Sequence, residues 1–249
     1  MRLGPVGLLV LLLAGGWATE TMGTPLPQQP RDFVIPGLES TAHSLPWTIL
    51  VLLTLLTLLP AILLAMTPFV RLLVVFHFLR QALGTQTTPT NQTLIGLAIF
   101  LTYFILQPVV LEVHRVAVVP LENGSVNALQ AVELGADPLR RFMLKFAREK
   151  DLALFVEIGK EPRPNRPEDL PMRVVVPAYI LSELKAGFQI GTLLFLPFLV
   201  IDIVVASVTT SVGMLQLPPV MISTPLKILL FVMVDGWNLV VGSLMKSFY

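Results

Sequence analysis

Four apolar segments, Trp47 to Met66, Leu94 to Leu111, Phe188 to Val208 and Leu226 to Met245, each approach the ~20 residues that cross a hydrocarbon core. A chain built on such segments must satisfy its backbone polar groups inside protein, so they read as helices. With 54% hydrophobic residues, 13% charged residues and a mean hydropathy of +0.78, a soluble fold is excluded as the leading description. Pro60 and Pro197 fall inside two of the segments, where each frees a carbonyl one turn earlier, at Leu56 and Leu193. Kinked helices of this kind are stable when neighbouring helices cover the freed groups, which favours burial in an assembly over isolated rods. The expected fold class is an all-α integral membrane protein: four long, partly Pro-kinked helices in hairpins, plus a smaller helical soluble region.

Five regions follow along the chain. Residues 1–18 read as a cleavable signal peptide, with Arg2 before a short apolar stretch and Gly16-Trp17-Ala18 where a peptidase needs small residues, so cleavage is expected between Ala18 and Thr19. An uncleaved anchor is the alternative, although a stretch of ~10 apolar residues falls well short of a span. Residues 19–45, carrying Pro25, Pro27, Pro30 and Pro36, read as a flexible exported arm. Residues 46–111 form a first apolar hairpin. Its loop, Thr67 to Thr93, carries only Arg71 and Arg80 as formal charges, which agrees with a cytoplasmic side once the signal has been removed.

Residues 112–178 hold most of the charged side chains, with acids and bases nearly balanced, and form the extracytoplasmic region. Within it Pro138 to Ala153 is expected to be one amphipathic helix, N-capped by Asp137, with Leu139, Phe142, Met143, Phe146 and Ala147 on one face. Gly159 and four prolines between 162 and 171 mark a linker. Residues 179–249 form the second apolar hairpin, turning across Thr209 to Pro225.

The chemistry-bearing residues are few. Net charge is +1 and no basic stripe stands out, so nucleic acid is not an expected partner. Cysteine is absent, His43, His77 and His114 are dispersed, and no phosphate loop or zinc motif occurs. The expectation is therefore a non-enzymatic protein with no catalytic residues, metal site or cofactor. Asp202 and Asp235 lie in apolar segments, where a charge costs roughly 2.5–3.5 kcal/mol at mid-bilayer, so each needs a partner or water. A hydrogen-bonded structural carboxylate is one reading, and a proton-linked switch or a water-facing pore position are others. Glu183 and Lys185, two residues apart, point in different directions on a helix and contact other elements or subunits. Lys227 either snorkels to an interface or meets Asp235 two turns later. Arg80 is either a topology signal or an assembly contact.

The segment Leu79 to Val110 runs from a neutral polar stretch, Gly84, Thr85, Gln86, Pro89, Asn91 and Gln92, directly into an apolar helix, which suggests a loop packed into protein. The order Phe78-Leu79-Arg80-Gln81-Ala82-Leu83-Gly84-Thr85-Gln86, then Pro89, Asn91-Gln92 and Leu94-Ile95-Gly96-Leu97-Ala98, closely resembles the FliP family, the main membrane subunit of the flagellar type III export gate. Two further blocks resemble it in the same order. One holds Ser182-Glu183-Leu184-Lys185, Phe188-Gln189-Ile190-Gly191 and Pro197 to Asp202; the other holds Leu217-Pro218-Pro219, Met221-Ile222-Ser223, Pro225-Leu226-Lys227 and Val234 to Leu239.

The resemblance implies bent helical hairpins stacked in a ring of about five copies raised toward the periplasm, in the bacterial inner membrane at the flagellar basal body. Implied partners are FliQ-type and FliR-type proteins, larger export-gate subunits, the lipid membrane and the unfolded rod, hook and filament proteins that the pore passes. From the residues alone, Ser211 to Pro219 is either a hairpin corner or a tip projecting into a pore. The family's loop at this place is methionine-rich and closes the channel as a gasket. Met214 matches, Leu215 and Gln216 depart, and Leu217 completes the expected gate, Met214 to Leu217. Competing readings are the equivalent subunit of a virulence injectisome, a stand-alone transporter, and a scaffold without a pore.

Overall fold

The structure, a computed structural model, describes residues 45–162, 166–213 and 218–249. The expected signal site at Ala18 and Thr19, most of the arm, and the expected gate at Met214 to Leu217 lie outside the described residues. Residues Val51–Tyr249 form one compact unit. All regular structure among the described residues is helical, as expected.

Among the described residues eight α-helices of ten or more residues carry the fold: α1 Leu45–Ala65, α2 Phe69–Ala82, α3 Asn91–Val113, α4 Ala128–Phe146, α5 Glu149–Ile158, α6 Met172–Ser211, α7 Val220–Met233 and α8 Gly236–Lys246. Beyond α3, a π-helical turn at His114–Val118 and a short turn at Val119–Glu122 prolong the rod. Among the described residues two helices are long and apolar enough to cross a membrane, Asn91–Glu122 and Met172–Ser211, or three spans if the bent pair Val220–Met233 and Gly236–Lys246 counts as one.

The first segment folds as the 21-residue helix α1, Leu45–Ala65, with Pro60 inside it. Expectation and structure part company at the last segment. In the fourth, the expected single helix is two, α7 and α8, bent by 66°. The break is set by Asp235 at φ 51 and by Gly236, where an added Cβ would stand 2.2 Å from the Phe231 ring. Only glycine admits so close an approach.

A larger correction concerns Thr67 to Thr93, expected as one loop. Its first half is the helix α2, whose Leu72, Val75, Phe76 and Leu79 recur at helical spacing and are fully buried. Only the second half is a loop, and in the single chain Gln86, Thr87 and Thr88 are exposed rather than packed. The amphipathic helix of the charged region is also displaced. α4 begins at Ala128, where Asn127 Oδ1 accepts from Gln130 N–H at 2.9 Å and Gln130 Oε1 accepts from Asn127 N–H at 3.0 Å. Asp137 is therefore inside α4 and pairs with Arg140 instead of capping. The expected face is preserved in part, since Phe142 and Met143 are buried in the core. The helix nonetheless ends at Phe146, and α5 starts anew after an extended Arg148.

The most extensive helix contact is α2 along α6. Small residues make it close: Cβ atoms at Gly187 and Gly191 would lie 3.1 Å from Val74 and 2.6 Å from Phe78. The main core gathers Leu72, Val75 and Phe76 with Leu94, Ala98, Met143, Val175, Tyr179, Leu244 and Phe248. A second cluster joins Leu79, Ala82 and Leu83 to Phe198 and Phe231. Outside these cores large apolar side chains remain exposed, among them Phe100, Tyr103, Leu193, Val200 and Met233, a surface suited to lipid or to protein partners.

Candidate functional site

α6 carries two buried ion-pair junctions, and α2 reaches both. At the first, Arg71 in the opening turn of α2 donates through Nη2 to Glu183 Oε1, with the two side chains 8% and 0% exposed. The guanidinium also lies 4.0 Å from the centre of the Phe248 ring and donates to Ser247 Oγ at 3.2 Å, so the C-terminal residues cover the pair. One residue earlier on α6, Ser182 Oγ accepts from Arg148 N–H at 2.9 Å and donates to Asp151 Oδ2 at 2.8 Å. Lys185 donates to the other oxygen of Asp151. This network fixes the break between α4 and α5, which is why one continuous helix does not form there. Burial pushes the Asp151 carboxyl up, but hydrogen bonds from Lys185 and Ser182 outweigh it and hold it below the usual carboxylate range.

At the second junction, Lys227 of α7 donates to Asp202 Oδ2 of α6 at 2.5 Å and to the carbonyl of Ala82 at 3.0 Å. Ser223 Oγ donates to Asp202 Oδ1 at 2.7 Å. Lys227 is buried, so it neither snorkels nor meets Asp235; the bend at Asp235 turns that residue elsewhere. Asp235 is exposed and accepts from Asn238 Nδ2 at 3.2 Å. The Asp202–Lys227 bond ties α6 to α7 nine residues before Ser211 and seven after Val220, about 10–14 Å from the loop they flank.

Next to this junction the polar loop after α2 rests on α7. Gly84, at φ 76, leaves no room for a Cβ, which would stand 2.6 Å from Thr224 Oγ1. Arg80 holds the loop's far side, donating to Asn91 Oδ1 at 2.6 Å and to the Pro89 carbonyl at 3.4 Å. A cleft of about 380 Å³ between His77, Arg80, Gly84, Gln86 and Val220 lies along it.

The structure thus brings Asp202 together with Lys227, sends Glu183 and Lys185 to different elements, and leaves Arg80 and Asp235 in separate places. Sequence reasoning missed Arg71, Asp151, Ser182 and Ser223 as partners. Arg71 inside the apolar run 69–76, and one acid and one base in successive apolar segments, were the available signals. Among the described residues no three His, Asp or Glu side chains gather as a metal site.

A profile described as the FliP family matches residues 52–244, which include both junctions. The chain belongs to the FliP family. It is 52% identical over 207 residues to the flagellar biosynthetic protein FliP of Pectobacterium carotovorum subsp. carotovorum, covering 82% of this chain and 80% of that one. With FliP of Bacillus subtilis (strain 168) the identity is 50% over 200 residues, 80% of this chain and 90% of the relative. With FliP of Cereibacter sphaeroides it is 44% over 220 residues, 88% and 73%. The match covers Arg71, Glu183, Asp202 and Lys227, the side chains of both ion pairs.

Proposed function

We propose that this chain is a core membrane subunit of the flagellar type III protein-export gate, acting in flagellum assembly rather than as an enzyme. The carrying observation is the FliP match over residues 52–244, supported by relatives named for flagellar biosynthesis. Extensive exposed apolar surface, and a hairpin braced by Asp202–Lys227 on either side of the 214–217 loop, support a subunit that packs among others around a passage. In this reading about five copies join FliQ-type and FliR-type proteins and the larger export-gate subunits in the inner membrane at the basal body. The passage conducts unfolded rod, hook and filament proteins. Met214 to Leu217 close it, while Arg80, Glu183, Lys185, Asp202, Lys227 and Asp235 serve packing and assembly.

Two measurements test the reading. Co-expression with the two candidate partners should give a multi-copy complex by native mass, and a monomer or simple dimer that ignores them would overturn it. A deletion strain should lose motility; retained motility with lost effector secretion would indicate the injectisome subunit instead. For the gate itself, Leu215→Gly with Gln216→Gly should raise ion leak and alter secretion. If neither changes, the loop is not the gate.

A further inference from the structure

Three buried polar atoms around the first junction find no hydrogen-bond partner among the described residues: Tyr179 Oη, Glu183 Oε2 and Arg71 Nε. All belong to side chains closed off from solvent, with Tyr179 and Glu183 at 0% exposure and Arg71 at 6%. They share one place. Tyr179 and Glu183 are one turn apart on the same face of α6, and Arg71 is bonded to Glu183. Phe142 lies against the Tyr179 ring and Phe248 against the guanidinium, so the surroundings are largely aromatic, and Ser247 Oγ is engaged with Arg71 Nη1.

Buried donors and acceptors left unpaired forfeit their hydration with nothing in exchange, which native cores rarely sustain. The groups are also complementary. Tyr179 and Arg71 each present an N–H or O–H to donate, and Glu183 Oε2 can only accept. One molecule that accepts twice and donates at least once satisfies all three, and a buried water typically makes about three such bonds.

We propose that the Arg71–Glu183 junction binds one internal water, which accepts from Arg71 Nε–H and Tyr179 O–H and donates to Glu183 Oε2. The site extends the ion pair from a single bond into a closed ring of hydrogen bonds joining α2, α6 and the C-terminus. It accounts for a tyrosine hydroxyl placed in an otherwise apolar core and for a carboxylate that uses only one oxygen on its cation.

Radiolytic hydroxyl labelling of the intact purified complex tests this, because the label forms from water at the residue it modifies. Tyr179 should be labelled several-fold more than Phe76, an equally buried ring outside the junction. In Tyr179→Phe, which keeps the ring and removes one of the three partners, labelling at position 179 should fall. Equal labelling of Tyr179 and Phe76 would overturn the site. So would a density map of the complex showing Tyr179 Oη directly on Glu183 Oε2 with no water between them.

Discussion

Two of the ion pairs made by α6, Arg71–Glu183 and Asp202–Lys227, use the same kind of bond in unlike surroundings. Arg71–Glu183 is closed on every side, with side chains 8% and 0% exposed and an aromatic ring over the cation. Asp202–Lys227 is lopsided, its lysine 4% and its aspartate 31% exposed. In a sealed site the loss of one partner strands a charge that nothing can solvate, whereas a carboxylate with an open side keeps part of its hydration. The first pair therefore reads as a fixed anchor of the core. The second reads as a brace that can be loosened at lower cost, beside the loop that the export reading makes a gate.

The largest effect is expected from breaking the anchor. Arg71→Met should destabilise the protein by about 3–5 kcal/mol, seen as a lowered thermal midpoint of the purified complex, and adding Glu183→Leu should recover most of it. If the double variant is as unstable as the single, the cost lies in lost packing rather than in the stranded carboxylate. Lys227→Met should cost less, about 1.5–3 kcal/mol, because Asp202 retains Ser223 and an open side. A cost equal to that of Arg71→Met would erase the contrast between the two pairs.

Gly191→Ala probes the strut that connects them, since α2 supplies both Arg71 and the Ala82 carbonyl. A Cβ there would stand 2.6 Å from Phe78, against 3.1 Å from Val74 at Gly187, so Gly191→Ala should cost about 1–3 kcal/mol and Gly187→Ala less, by the same midpoint measurement. The smallest effect is expected at Asp151. Its carboxyl is held below the ordinary value of 3.8, so its contribution is fully present above that value and is lost as pH falls through the lowered one. Asp151→Asn should remove about 0.5–1.5 kcal/mol at neutral pH and flatten the acid limb of the midpoint-against-pH curve. An unchanged acid limb would show that other carboxylates govern it.

Much of the architecture was legible in the chain. Apolar length and composition require helices in a membrane protein, and the ordered blocks from Phe78 to Leu239 carry the family. Hydropathy is a local average, however, and cannot register a bend that depends on one close contact. That is why Leu226 to Met245 reads as a single span although Gly236 folds it against Phe231. The same averaging hides α2, whose buried face is legible only by helical spacing inside a stretch taken for a loop.

Residue type and position alone determined that Asp202, Glu183, Lys185 and Lys227 need partners, because an ionisable group in apolar surroundings is costly wherever the chain places it. Which partner each one takes was decided by tertiary structure. Arg71 and Glu183 are 112 residues apart and Lys227 and the Ala82 carbonyl are 145 apart. Such pairings depend on how closely α2 approaches α6 across Gly187 and Gly191 and on the antiparallel placement of α7, quantities that arise only when separated segments pack.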